Sequence, residues 1–94
     1  MTQTQNMKIK FSTRFNKRYR KIPAKIQIAT NKRVILFQND KYYPVLNNHA
    51  LAGKWAGYRS INITGDWRAL FREFDNGSLI YFDIIDTHSN LYRH

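Results

Sequence analysis

Met7, Ile9 and Phe11 alternate with Lys8, Lys10 and Ser12 in MKIKFS, the two-residue period of a half-buried β-strand. The period then changes. In TRFNKRYRKI, residues 13–22, Phe15, Tyr19 and Ile22 recur at helical spacing behind Ser12 or Thr13, either of which can cap a helix. Pro23 lacks the N–H that a continuing helix needs but suits the first turn of a new one, so PAKIQIATNKRVILFQN, residues 23–39, reads as a second helix. The two form a helical hairpin. Ile22, Ile26, Ala29 and Phe37 keep a helical stripe, and the all-apolar run at 34–37 predicts a helix end buried on several sides.

Between 39 and 58 no period is sustained, and NDKYYPVLNNHALAGKWAGY reads as a long ordered loop with at most a single helical turn. Loops of that length in small domains are often functional. Three alternating segments follow at 58–63, 67–74 and 79–87, the first two hinged on Thr64, Gly65 and Asp66 and the last two on the hairpin signal DNG. They predict an antiparallel meander. The whole is therefore an α+β domain of strand, helix, helix and three strands, with an antiparallel sheet covered on one face by the helical hairpin. One domain is expected over 1–94, with residues 1–6 polar and frayed. Alternation sets Arg68 and Arg72 on one face of the returning strand and Trp67, Ala69 and Phe71 on the other.

Hydrophobic residues at 43% and aromatics at 15% agree with a packed core, and no apolar run approaches the roughly 20 residues that a membrane helix needs. The first residues carry no apolar segment followed by a small-residue cleavage site, and there is no cysteine. A cytoplasmic protein without disulfide or thiol chemistry is expected. Charge narrows the class further. The net charge is +10, and no Asp or Glu precedes Asp40, whereas ten lysines and arginines do. Such a chain calls for a polyanionic partner: nucleic acid first, an acidic protein second, with an anionic membrane surface also able to neutralise it.

Several chemistries lack their residues. His49, His88 and His94 have no metal-ligand spacing, GKWAG is no phosphate loop, and no serine sits in a Gly-x-Ser-x-Gly frame. No metal or cofactor is expected. What remains near strand ends and loops is His49, Lys54, Arg59, Asn62, Asp66, Arg68, Arg72, His88 and Tyr92. Cutting RNA with its own 2'-hydroxyl needs a proton acceptor, a proton donor and cations for the phosphorane-like transition state, and this set holds all three. Taken singly, each residue also has a plain reading, Asp66 as a turn former and the two arginines as solubilising surface.

The joint order is more specific. HALAGKWAGYRSINITGDWRALFREFDNGSLIYFDIIDTHSNLY, residues 49–92, resembles the RelE/YafQ-like toxins of bacterial type II toxin-antitoxin modules through His-x-Leu-x-Gly, Gly-Tyr-Arg, Gly-Asp-Trp-Arg and Thr-His-Ser-x-Leu-Tyr. The resemblance implies a RelE/ParE-like fold and a metal-independent endoribonuclease that cuts mRNA in the ribosomal A site. It implies an acidic antitoxin partner in a hetero-oligomer, with ribosome and mRNA as targets and no membrane. His49, Asp66, Arg68, His88 and Tyr92 would then carry catalysis, with His88 as candidate proton donor to the leaving oxygen. Lys54, Arg59, Trp67 and Arg72 would contact RNA, Arg59 alternatively being structural. Three positions depart from the pattern: Asn62 replaces a second histidine, Ile84 replaces an arginine, and Asp86 brings a carboxylate within two residues of His88. The departures keep two other readings open, a ParE-like inhibitor of DNA gyrase and a catalytically degenerate relative that only binds its antitoxin.

Overall fold

The computed structural model describes residues 7–93, so the frayed start expected at 1–6 and His94 lie outside it. The strands are β1 (Lys8–Phe11), β2 (His49–Ala50), β3 (Arg59–Asn62), β4 (Trp67–Phe74) and β5 (Leu79–Thr87); the helices are α1 (Thr13–Tyr19), α2 (Ala24–Asn39) and α3 (His88–Leu91). The sheet order is β1-β5-β4-β3-β2. The expected meander of β3, β4 and β5 is antiparallel throughout, while β1 adds to β5 in parallel at the edge, so the sheet is mixed and not wholly antiparallel as expected.

Local chemistry accounts for the helix limits. Ser12 caps α1, its Oγ accepting from the Phe15 amide at 3.0 Å while donating to the Asp83 carbonyl at 3.0 Å. The helix stops at Tyr19, three residues before the expected end, and the chain turns through 20–22, with the Lys21 amide on the Arg18 carbonyl, toward Pro23, whose preceding residue is biased away from helical backbone. Pro23 itself is extended and flanks α2 instead of opening it. Along α2 the stripe holds: Ile26 and Phe37 are buried and Ala29 packs beside them. The run at 34–37 is not buried all round, since Ile35 remains 58% exposed. It joins Phe11, Phe15, Tyr19 and Val34 in lining an apolar groove of about 380 Å³ between α1 and α2.

The main core lies between these helices and one sheet face. Phe37 of α2 meets Phe71 and Phe82 edge-on, with ring centres 5.1 and 5.5 Å apart, and Ile61, Ile63, Ala69, Ile80 and Ile85 fill in around them. The opposite face is not bare, as a one-sided fold would leave it. Tyr58, Leu70 and Leu91 form a second, smaller cluster there with Leu51, Trp55 and Ile84. It is built by the long loop, which holds two short 3-10 turns (Pro44–Leu46 and Gly53–Trp55) and the two-residue strand β2, and by α3. Leu70 opposes Ile84 while Phe71 opposes Phe82, so Asp83 is an extra residue in β5, a bulge that lies just past the point where β1 ends.

Candidate active site

Thr64 builds the turn between β3 and β4. Its Oγ1 accepts from the Asp66 and Trp67 amides at 3.2 and 3.1 Å, and its carbonyl accepts from Arg68 Nη1 at 3.0 Å. The same nitrogen reaches the Gly65 and Trp67 carbonyls, so Arg68 clamps the turn by one end of its guanidinium. The His88 amide donates to the Asp66 carbonyl at 2.8 Å, which fastens the start of α3 to this turn. Asp66 itself is exposed.

Strand alternation sorts the other candidates by face. Arg68, Leu70 and Arg72 of β4, Ser60 and Asn62 of β3, and His49, which pairs with Ser60, lie on the face away from α1 and α2. Trp67 and Arg59 lie on the other. Trp67 packs against the main core with Arg18 Cζ 5.8 Å from its ring centre. Arg59 donates Nε to Asn48 Oδ1 at 2.8 Å and stands 5.9 Å from the Tyr42 ring, the structural alternative considered for it.

His49 is exposed on the edge strand, and its Nδ1 lies 2.8 Å from the Asn47 carbonyl. A carbonyl only accepts, so Nδ1 carries a proton, and in the neutral ring Nε2 then holds the lone pair. Asn47 reaches that position through a left-handed backbone at φ 49° and ψ 49°, which asparagine tolerates better than most residues. Asn62 Oδ1 is buried without a hydrogen-bond partner, while the main-chain oxygen of Asn62 accepts from Arg33 Nη1 at 3.0 Å.

His88 opens α3, exposed, with its ring centre 4.7 Å from that of Tyr92. Thr87 caps this short helix through Asn90. Asp86 is engaged through one oxygen: its Oδ1 accepts from Arg18, from Asn90 Nδ2 and from the Thr87 amide. The carboxylate near His88 thus serves as an anchor for α1 and α3. Ile84 contributes to the second apolar cluster. Lys54 donates to the Arg93 carbonyl at 3.0 Å and, with Trp55, Tyr92 and Arg93, lines a cleft of about 550 Å³ beside α3.

Arg72 lies on the same face as Arg68 but roughly 13 Å along the strand. Its guanidinium carbon sits 4.4 Å from the ring centre of Tyr58. The Tyr58 hydroxyl donates to Asp83 Oδ2 at 2.6 Å, and Arg14 grips the same carboxylate through Nε at 3.1 Å and Nη2 at 2.8 Å. The Arg14 guanidinium, with help from Tyr58, holds the Asp83 carboxyl well below the usual carboxylate range, against an opposing cost of burial. No sequence signal pointed to this network, because its members lie far apart along the chain. Asn47, Trp55 and Arg33 were missed for the same reason. Among the described residues no group of three or more His, Cys, Asp or Glu could hold a metal ion.

A family model described as the bacterial toxin of type II toxin-antitoxin system, YafQ, matches residues 7–93. No curated protein matches the chain. Among solved structures, YafQ from E. coli strain BL21(DE3) is 21% identical, with 92% of this chain and 98% of that one covered at a TM-score of 0.64. The E. coli DinJ-YafQ toxin-antitoxin complex gives 23% identity, 93% and 98% coverage and a TM-score of 0.62. The archaeal RelE-RelB complex of Pyrococcus horikoshii is 12% identical, with 95% and 99% covered at 0.72. At these identities the structures speak for the fold alone.

Proposed function

This chain belongs to the YafQ family of toxins of bacterial type II toxin-antitoxin systems, and from that premise we propose that its single domain is a metal-independent endoribonuclease that cuts mRNA on the ribosome. The observation that carries the reading is His49, exposed on the sheet face away from α1 and α2 with Nδ1 held by the Asn47 carbonyl, which in the neutral ring leaves Nε2 able to take a proton. In the proposed reaction the ribose 2'-oxygen bonds to phosphorus as its proton passes to His49 Nε2. The bond from phosphorus to the 5'-oxygen breaks as that oxygen takes a proton from His88. The products are a 2',3'-cyclic phosphate and a 5'-hydroxyl. Arg68 supplies positive charge to the phosphate, and its clamp on the turn fixes where that charge sits, which spares reorganisation in the transition state. Tyr92 packs on His88 and steadies it, while Asp66 holds α3 by its carbonyl and leaves its carboxylate exposed beside the site. Lys54 and Arg72 extend the RNA path to either side.

The partner is an acidic antitoxin, for which net charge of +10 and the apolar groove between α1 and α2 supply complementary surfaces. The DinJ-YafQ complex is an assembly of this kind. The site of action is the cytoplasm, where ribosomes are; among the described residues no helix is long and apolar enough to cross a membrane.

The test is a reconstituted translation reaction on a defined mRNA. The wild-type chain should cut in the A site, and His49→Ala and His88→Ala should each lower the single-turnover rate by about 10²–10⁴-fold, the usual worth of a positioned acid or base. Intact mRNA together with trapped gyrase-DNA cleavage complexes would replace this reading with gyrase inhibition. Intact mRNA and unimpaired growth on expression would leave only a binding protein.

A further inference from the structure

Tyr42 and Tyr43 stand out on the long loop because the fold holds their backbone and leaves their rings in solvent. They are 58% and 46% exposed, and Val45 beside them is exposed as well. Beneath the rings, Asp40 Oδ1 accepts from the Tyr42 amide at 3.1 Å and the Asp40 carbonyl accepts from the Tyr43 amide at 3.0 Å. Asn48 Nδ2 donates to the Lys41 carbonyl at 2.9 Å, and Leu46, fully buried, anchors the turn that Pro44 opens. Rings presented on a fixed backbone lose little entropy on binding.

Cations frame the first ring. Arg59 Cζ and Lys41 Nζ lie 5.9 and 5.8 Å from the Tyr42 ring centre. Lys41 is paired with Glu73 at 3.1 Å, so the patch offers stacking faces more than free charge. Arg59 has its Nε on Asn48 Oδ1 and no ion pair among the described residues, so an apolar partner would desolvate its charge without compensation. RNA brings phosphates with its bases, and unpaired bases stack on aromatic rings and guanidinium planes alike. The side of the sheet says which RNA. Arg59, and with it Tyr42, lies on the side of α1 and α2, whereas His49, Arg68 and Arg72 lie on the other, so a message held at the cutting face does not cover these rings.

We infer that Tyr42 and Tyr43 form a docking platform on which unpaired bases of ribosomal RNA stack, holding the protein on the ribosome independently of the message. The inference rests on the endoribonuclease reading above and adds to it a second RNA surface, on the opposite side of the sheet from the cut.

The test is equilibrium association with ribosomes that hold a P-site tRNA on an mRNA ending at the P-site codon, so that no message fills the A site. Tyr42→Ala combined with Tyr43→Ala should weaken association about tenfold or more, as loss of a stacking ring does. The slope of log affinity against log salt should not move, because no phosphate pair is lost, and the melting temperature should stay close to that of wild type. Tyr42→Phe combined with Tyr43→Phe keeps both rings and should restore binding. Phenylalanine variants as weak as the alanine ones would show that the rings do not act by stacking and overturn the inference. A loss seen only when the message extends through the A site would assign the rings to mRNA and overturn it too. Wild type and alanine variants that bind equally well would overturn the inference alone and leave the patch to a protein partner. A wild-type chain that neither associates with ribosomes nor cuts mRNA on them overturns the endoribonuclease reading and this inference together.

Discussion

Asp83 shows how single residues join the two sides of this molecule. It sits in the bulge of β5 and receives Arg14 from the helix layer and Tyr58 from the second cluster, which in turn lies under Arg72. Because its carboxyl is held well below the ordinary range when folded, folding favours its ionised form. The associated stability is fully present above the carboxylate range of an unfolded chain, about 3.9, and is lost as pH falls through the lower folded value. Asp83→Asn should therefore cost roughly 1–2 kcal/mol at pH 7, a figure kept small because the Arg14 side chain is 61% exposed to screening solvent. Melting curves of wild type and variant should stay separated by a constant interval between pH 5 and 8 and converge below about pH 4. A separation that persists unchanged into strong acid would mean that the carboxylate is not the stabilising group.

At the scale of elements, α3 is the piece whose order depends most on its surroundings. Four residues cannot sustain a helix alone, and His88–Leu91 is held by the Thr87 cap, the Asp86 carboxylate, Leu91 in the second cluster and Trp55 Nε1, which donates to the Leu91 carbonyl at 2.8 Å. Trp55→Phe keeps an aromatic ring and removes that donor. It should weaken the docking by about 1 kcal/mol, seen as roughly fivefold faster hydrogen exchange at His88 and Asn90 with β4 and β5 unaffected. Equal exchange in both proteins would show that the caps suffice. The helix pair and the meander were legible in the sequence because their periods are local. Even the placing of Trp67 opposite Arg68 followed from alternation, and Trp67 does lie against the core with Arg18. β2 was not legible, since two residues become a strand only by pairing with β3. Nor was α3, which a four-residue stretch cannot announce. Of the candidate site, the residue types were readable and their partners were not: the Asn47 carbonyl on His49, the turn carbonyls on Arg68 and the engagement of Asp86 by Arg18 all depend on chain segments meeting in space.

Across the whole molecule, charge is divided between internal ties and open surface. Three of the six acidic residues, Glu73, Asp83 and Asp86, are in ion pairs, with Lys41, Arg14 and Arg18, and Arg33 is turned to the Val45 and Asn62 carbonyls. Lys17, Lys21 and Lys25 stay exposed around the junction of α1 and α2, far in sequence from the proposed cutting site and unmatched by any acidic residue before Asp40. On the proposed endoribonuclease reading, their contribution is a long-range attraction to RNA. Replacing all three by glutamine should leave the melting temperature nearly unchanged and weaken association with ribosomes most at low salt. Removing one lysine-phosphate pair lowers the slope of log affinity against log salt by about 0.7–0.9, so removing all three would flatten it by about two to three. A slope that does not move would place the phosphates on the face of Arg68 and Arg72 and leave the basic helices free for the acidic antitoxin. In that case the same triple variant should instead lose antitoxin binding, which makes the two partners separable with one protein.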